Sequence, residues 1–547
     1  MPLIELHASP RLSRRMGGTN SADVVDLPAQ GHAQRPGGLG ATVPRLLYRL
    51  LVFAFLTRLL TLGLYPLTDN TEARYAEIAR KMIETGQWLV PQIDYGVPFW
   101  GKPPLSMWLT AISYELFGVN AFAARLPSLL LGLAVCFLAY RLGAQYKGRE
   151  YGLRASLVVA TSLLMLVSAG GVMTDPAMLL GTTLSMVGYW LALTTSSRRW
   201  GYLFFVGLAI GLLAKGPVAT VLTLLPIGAW AVLTGRVAES GRRLPWVRGT
   251  VLLGVLVVPW YWAAEMQSPG FLRYFIVGEH LQRFLTPGWK GDLYGVGHAY
   301  PRGTIWLYAL LGTLPWSPWL VWQLFRRGAV QPLAPLRGGD GWTLYLICWM
   351  LAPAVFFTFS RNILPTYFLP GLIGFGLLVA QVWQAQAASA AARRTGWLAL
   401  VTPSLAVVLL AAWAQSGFQS QQDIVAAYRQ DSAKDGALVY FRQRPHSAEF
   451  YSRGKAARVD DADAMRAYLA RLPNSYVATE VNALDLLPPD LRAQLDEVAV
   501  SRTGKYVLLR HLGGEPRFPA AEAVRNVPGD TNARHPAGPH RLRTSRE

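Results

Sequence analysis

Between residues 44 and 414 the chain is a series of apolar runs, each about one bilayer long. Backbone N–H and C=O groups in hydrocarbon must pair within their own segment, so each run is expected to be an α-helix. The runs fall at about 44–66, 120–145, 152–171, 176–195, 200–214, 216–234, 248–264, 304–325, 341–359, 363–383 and 396–414. A further stretch, LSMWLTAISYELF (105–117), is too short to span comfortably. It reads as an interfacial helix anchored by Trp108 and Tyr114, with a re-entrant segment or an extra span as alternatives. Composition agrees: 52% of residues are hydrophobic and 15% charged, against ~25% charged in an ordinary globular protein. Disorder, collagen, coiled coil and a disulfide scaffold are excluded as descriptions of the whole chain. Cys136 and Cys348 both lie inside apolar runs, so neither a disulfide nor a Cys-based zinc site is expected.

The net charge is +20. In a soluble protein this would point to nucleic acid; here it reads as basic loops retained on the cytoplasmic side. With the N-terminus inside, the inner loops carry Lys147, Arg149 and Arg154; Arg198 and Arg199; Arg236, Arg242, Arg243 and Arg248; Arg326, Arg327 and Arg337; and Arg393 with Arg394. The outer segments are the long loops 67–119 and 265–303 and the connections 171–175, Lys215-Gly216-Pro217 and 360–362. The acids and bases that orientation does not explain therefore gather on one membrane face, as an active site at an external surface would require.

Residues 1–43 read as a disordered cytoplasmic tail and 513–547 as a second disordered tail. Residues 44–414 form the transmembrane part. Residues 415–512 read as a small soluble α/β domain, with strands in 436–443, 475–480 and 504–510 and helices in 461–472 and 489–498. An odd number of spans places this domain outside.

In the first outer loop, Asp69-x-x-Glu72 resembles a capping box opening a helix over 70–85; a carboxylate fixed at a helix start is also rigid and well aimed. Lys102 precedes two prolines that stiffen its backbone. It is either a headgroup-level lysine beside Trp100 or, with Arg74, a phosphate clamp. Asp175 either caps the next span, Pro176 suiting a first helical position, or joins Asp69 in a two-carboxylate site. Glu279 and His280 are candidate metal ligands that would need help from elsewhere. Arg283 and Arg361 are candidate phosphate ligands, and Tyr367 lies near the start of a span. Arg58 is a charge inside the first run with no evident partner. No Walker loop, dinucleotide fingerprint, HExxH or nucleophile elbow stands out, which argues against ATP-driven or dinucleotide chemistry.

The run TEARYAEIARKM…GQWLVPQ…GKPPLSMWL, followed by FGVNAFAARLPS, resembles the first outer loop of the polyprenyl-phosphate-sugar-dependent glycosyltransferases of the C-type membrane fold. The likeness is to the lipid A aminoarabinose transferase branch, with the bacterial relatives of protein mannosyltransferases next. The later TDP, EHLQRF and SRNILPTYFLP segments fit in the same order. This resemblance implies an all-α polytopic protein of about 11–13 transmembrane helices with a small C-terminal α/β domain. It implies inverting transfer of a sugar from undecaprenyl phosphate to lipid A at the periplasmic face of the inner membrane, without nucleic acid. In that reading Asp69, Glu72 and Asp175 are catalytic or substrate-orienting, while Arg74, Tyr75, Lys102, Arg283, Arg361 and Tyr367 bind substrate or phosphate. No cofactor is required by the sequence, and a divalent metal at Glu279 and His280 stays open. The family places Asp before the Glu-Ala-Arg-Tyr segment, where this chain has Thr71, so Asp69 or Glu72 would take over. The alternatives are transfer of another sugar, a protein or glycan acceptor, or, outside the enzymes, a flippase or transporter of lipid-linked sugars.

Overall fold

In the computed structural model, which describes residues 42–513 except 70, 196, 296, 326–339, 387–393 and 432–435, each apolar run forms helix. The two expected tails lie outside the described residues but for Thr42, Val43 and Gly513, as do Arg326, Arg327, Arg337 and Arg393. The first helices are α1 (Thr42–Thr61), α2 (Thr71–Thr85), α3 (Leu105–Phe117), α4 (Ala121–Lys147), α5 (Arg149–Thr161), α6 (Leu163–Ser168), α7 (Asp175–Thr194), α8 (Arg198–Lys215) and α9 (Pro217–Thr234). Trp246–Gln267, Thr304–Gly312, Trp316–Phe325, Trp342–Thr358, Leu372–Ala385 and Val401–Ser416 follow. Among the described residues six helices are long and apolar enough to cross a membrane. The chain is a multi-pass membrane protein.

Close packing depends on small residues where backbones approach. A Cβ on Gly181 of α7 would lie 2.6 Å from both Gly207 O and Gly211 N of α8. Two of the runs are broken: 152–171 at Ser162, and 304–325 at Thr313–Pro315. The breaks lie side by side, and each supplies what the other lacks. Leu163 N donates to Leu314 O at 2.9 Å, and Trp316 Nε1 donates to Thr161 Oγ1 at 3.0 Å. The backbone N–H of Leu163 and the carbonyl of Leu314, at the two breaks, are thereby paired with each other.

The first outer loop folds as α2, a short antiparallel pair of β1 (Gln92–Asp94) and β2 (Val97–Pro98), and α3. Toward the C-terminus, β3 (Ala437–Phe441), β4 (Ala457–Val459), β5 (Ser475–Glu480), β6 (Leu495–Val500) and β7 (Tyr506–His511) form a sheet in the order β4-β3-β5-β7-β6. β3 runs parallel to β4 and β5; β7 is antiparallel to β5 and β6. The strand alternation buries Val439, Phe441 and Val477 against Met465 and Leu469 on one face. Leu438, Tyr440 and Ala478 pack toward Ile424 and Ala448 on the other. The helix expected over 489–498 is corrected: only Pro489–Arg492 is helical, and Leu495–Val500 is an edge strand. Pairing with β7 overrides the helix-forming composition of QLDEV.

Two expectations about charge are also revised. Asp69 does not cap α2. Its carboxylate accepts from Ser447 N at 2.9 Å and from the Ser447 hydroxyl, and its backbone N–H donates to Gln419 O. It fastens the outer loop to the segment that leads into the sheet. Glu72 instead accepts from Thr68 N and Oγ1. Arg58 sits in the last turn of α1 and donates to the Tyr65 hydroxyl at 2.8 Å.

The start of α2 is held from below by Arg125 of α4. Its Nε and Nη2 donate to the two Glu72 oxygens at 2.7 and 2.8 Å, and its remaining donors reach the carbonyls of Leu62, Tyr65 and Pro66. Arg125 is fully buried. Removing one partner of such a pair leaves an uncompensated charge and costs about 3–5 kcal/mol. Glu72→Gln should therefore lower the melting temperature of the purified protein markedly. An unchanged melt would show that the Arg125 bonds to carbonyls suffice.

Candidate active site

The outer segments converge on one cavity of about 810 Å³. Its polar lining comes from six places in the chain: Thr71, Arg74 and Tyr75 of α2; Lys102; Asp175 at the start of α7; Lys215 at the end of α8; Glu279, His280, Arg283, Asp292 and His298 of the second long loop; and Ser360, Asn362 and Tyr367. His446 joins them from the C-terminal segment, and Val218, Val221, Leu222, Phe356 and Phe357 supply an apolar wall.

The cations are held by carboxylates, each in its own way. Lys215 Nζ lies 2.6 Å from Asp175 Oδ1 and 4.7 Å from the centre of the Tyr367 ring. The turn that aims it depends on Gly216, whose φ of +87° suits glycine. A Cβ there would also meet the Phe275 ring at 2.5 Å. Thr174 rather than Asp175 stands at the N-cap position of α7, so the Asp175 carboxylate is turned to Lys215 instead of to its own helix end. Glu279 is almost fully buried and accepts from Lys102 Nζ at 2.8 Å, Arg283 Nη1 at 3.0 Å and the Tyr274 hydroxyl at 3.1 Å. Arg283 also reaches Asp292 at 3.2 Å. Burial works to raise the Glu279 carboxyl, but Lys102 and Arg283 outweigh it and hold it at about 2. Burial likewise works against the Lys102 charge, and Glu279 overcomes it. Arg74 donates to the Tyr294 carbonyl and lies 5.3 Å from the centre of the Tyr75 ring, while its buried Nε has no partner.

The structure thus brings together Arg74, Tyr75, Lys102, Asp175, Glu279, His280, Arg283 and Tyr367. Asp69, Glu72 and Arg361 do not line the cavity. Asp69 and Glu72 are taken up by Ser447 and Arg125, and Arg361 donates to Tyr300 O. Thr71, in the position where the family has Asp, does face it. His280 sets Nδ1 2.8 Å from Phe275 O and Nε2 3.2 Å from Lys215 O, so both ring nitrogens face carbonyls rather than a shared ion with Glu279. Among the described residues no group of three or more His, Cys, Asp or Glu side chains is placed to hold a metal.

Sequence reasoning missed Lys215, Arg125, Asp292 and His446. Lys215 carried a signal, being a lone cation in a tight turn between two apolar helices. Arg125 carried another, as a charge inside an apolar run. His446 lies in a soluble segment and carried none.

The family model for dolichyl-phosphate-mannose-protein mannosyltransferase matches residues 46–275. An undecaprenyl phosphate-alpha-4-amino-4-deoxy-L-arabinose arabinosyl transferase of Erwinia tasmaniensis is 32% identical over 341 residues, covering 60% of this chain and 58% of that protein. One of the enzymes of that name from Pseudomonas fluorescens is 30% identical over 382 residues, covering 67% of this chain and 63% of that protein. The chain thus matches less than two thirds of these relatives' length. In structure it resembles ArnT from Cupriavidus metallidurans, solved with undecaprenyl phosphate, at a TM-score of 0.65 and 19% identity, covering 88% of this chain and 100% of that one.

One pH dependence follows from the Glu279 cluster. A carboxyl held below its ordinary value of 4.5 contributes stability that is complete above that value and is lost as pH falls toward about 2. The melting-temperature gap between wild type and Glu279→Gln should therefore be equal at neutral and mildly acidic pH, narrowing only below about 4.5. A gap that closes already near neutrality would refute the pairing. The chain shares the fold of that ArnT structure, and in sequence it is similar to the mannosyltransferase family model over residues 46–275 and, over part of their length, to the aminoarabinosyl transferases.

Proposed function

We propose that the chain is an inverting glycosyltransferase that moves 4-amino-4-deoxy-L-arabinose from undecaprenyl phosphate to a lipid A phosphate. It acts at the periplasmic face of the inner membrane, with residues 415–512 as a periplasmic α/β domain. The product carries added positive charge, giving resistance to polymyxin and other cationic antimicrobial peptides. The observation that carries this reading is the convergence of Arg74, Lys102, Lys215 and Arg283 on one cavity walled on one side by apolar residues. Such a site suits a phosphate headgroup on a long apolar chain.

In this mechanism an acceptor phosphate oxygen attacks the anomeric carbon on the face opposite the polyprenyl phosphate. The new C–O bond forms as the bond to the leaving oxygen breaks, and that electron pair stays on undecaprenyl phosphate. No proton need be removed, because a phosphate oxygen is already a nucleophile. The cations stabilise the charge that develops on the leaving phosphate. Asp175, fixed by Lys215, is the carboxylate best placed to orient the sugar amine. Hydrogen bonds to Lys102 and Arg283 leave Glu279 an electrostatic role, keeping those two cations in place.

Mass spectrometry of lipid A from a deletion strain, with and without the gene, tests the reading; the gene should add one aminopentose. An unmodified lipid A, or a modified protein or glycan in its place, would replace it with another acceptor. Arg74→Ala and Lys215→Ala should each lower transfer at least ten-fold, about 1.4 kcal/mol of barrier. This matches the loss of a charge-assisted contact worth roughly 1.5–3 kcal/mol. Wild-type rates in both would refute the phosphate-binding role of this cavity.

A further inference from the structure

The C-terminal segment does more than cover the outer loops. Among the described residues after 415, His446 alone lines the cavity. The chain on either side of it is fixed by side chains of the first outer loop. Arg444 donates to Asp94 at 2.7 Å, Ser447 N donates to Asp69 at 2.9 Å, and Glu449 lies 2.6 Å from Lys81. The Ser447 hydroxyl also accepts from Gln421 N at 2.9 Å while donating to Asp69. The backbone of His446 is therefore held in one place by bonds that its own ring does not make.

The ring itself is half-buried and makes no hydrogen bond to any described residue. A polar group held facing a polar cavity without a protein partner is positioned for a ligand. Burial, with the charges of Arg74, Lys81 and Arg444, lowers its pKa to about 3, so the imidazole is neutral at working pH. A neutral imidazole offers one N–H donor and one acceptor nitrogen. Its neighbour in the same cavity is Arg74, whose buried Nε is likewise unpartnered.

We propose that His446 is a substrate-contacting residue, lent to the cavity by the C-terminal segment, that hydrogen-bonds the phosphate headgroup of the polyprenyl donor beside Arg74. Asp69 and Ser447 are then positioning residues acting through it. The proposal rests on the reading of this cavity as a polyprenyl-phosphate site.

The test is binding of undecaprenyl phosphate to the purified full chain in detergent, beside thermal melts. His446→Ala should weaken binding at least five-fold with an unchanged melting temperature. His446→Asn, which keeps a donor and an acceptor, should recover most of it. Ser447→Ala should weaken binding less than His446→Ala does. Wild-type affinity in His446→Ala, when Arg74→Ala binds weakly, would overturn the contact while leaving the phosphate site standing. Weak binding in His446→Ala with a lowered melt and no recovery by Asn would reassign the residue to packing. Absence of binding by the wild type would overturn the site and the contact together.

Discussion

The geometry of the cavity depends on a buried ion pair that never touches it. Arg125 rises from the first turns of α4 and grips both oxygens of Glu72, while its other donors gather the carbonyls of Leu62, Tyr65 and Pro66. One guanidinium thus ties together the end of α1, the entry into the outer loop and the start of α2. Thr71 and Arg74 face the cavity because Glu72, on the neighbouring side of the same helix turn, is fixed away from it. A planar five-donor group suits this task, which lysine could not perform.

The cavity follows a second rule: its cations are balanced but not all neutralised. Lys215 is matched by Asp175, and Lys102 with Arg283 by Glu279 and Asp292. Arg74 has a carbonyl and aromatic rings but no carboxylate. Four cations meet three carboxylates among the lining residues, so an incoming anion finds a net positive field without an isolated buried charge at each position. Aromatic faces at Tyr75 and Tyr367 add weak attraction for Arg74 and Lys215.

The helical runs were legible in the sequence because apolar length is governed by one strong constraint, the pairing of backbone groups in hydrocarbon. The same holds for α3, whose bounds coincide with the apolar run 105–117. The clustering of Arg74, Lys102, Asp175 and Arg283 followed from assigning their loops to a single face. The roles of Asp69 and Glu72 were not legible, since local spacing favoured a capping box while the partners that won them, Ser447 and Arg125, lie 378 and 53 residues away. The edge strand Leu495–Val500 was hidden for a related reason: its composition is helical and only its neighbour β7 makes it a strand.

The paired breaks in α5–α6 and in Thr304–Phe325 bear on how the chain is assembled. Across the two breaks the backbone N–H of Leu163 donates to Leu314 O, and the indole N–H of Trp316 donates to the Thr161 hydroxyl. More than a hundred residues of chain separate them, including α7, α8 and α9. The acceptor that Leu163 N uses in the folded chain therefore comes from a segment that follows those helices in the sequence. The two broken segments are accordingly coupled rather than independent in the folded chain. A break early in the chain is there bridged by one that lies late in it.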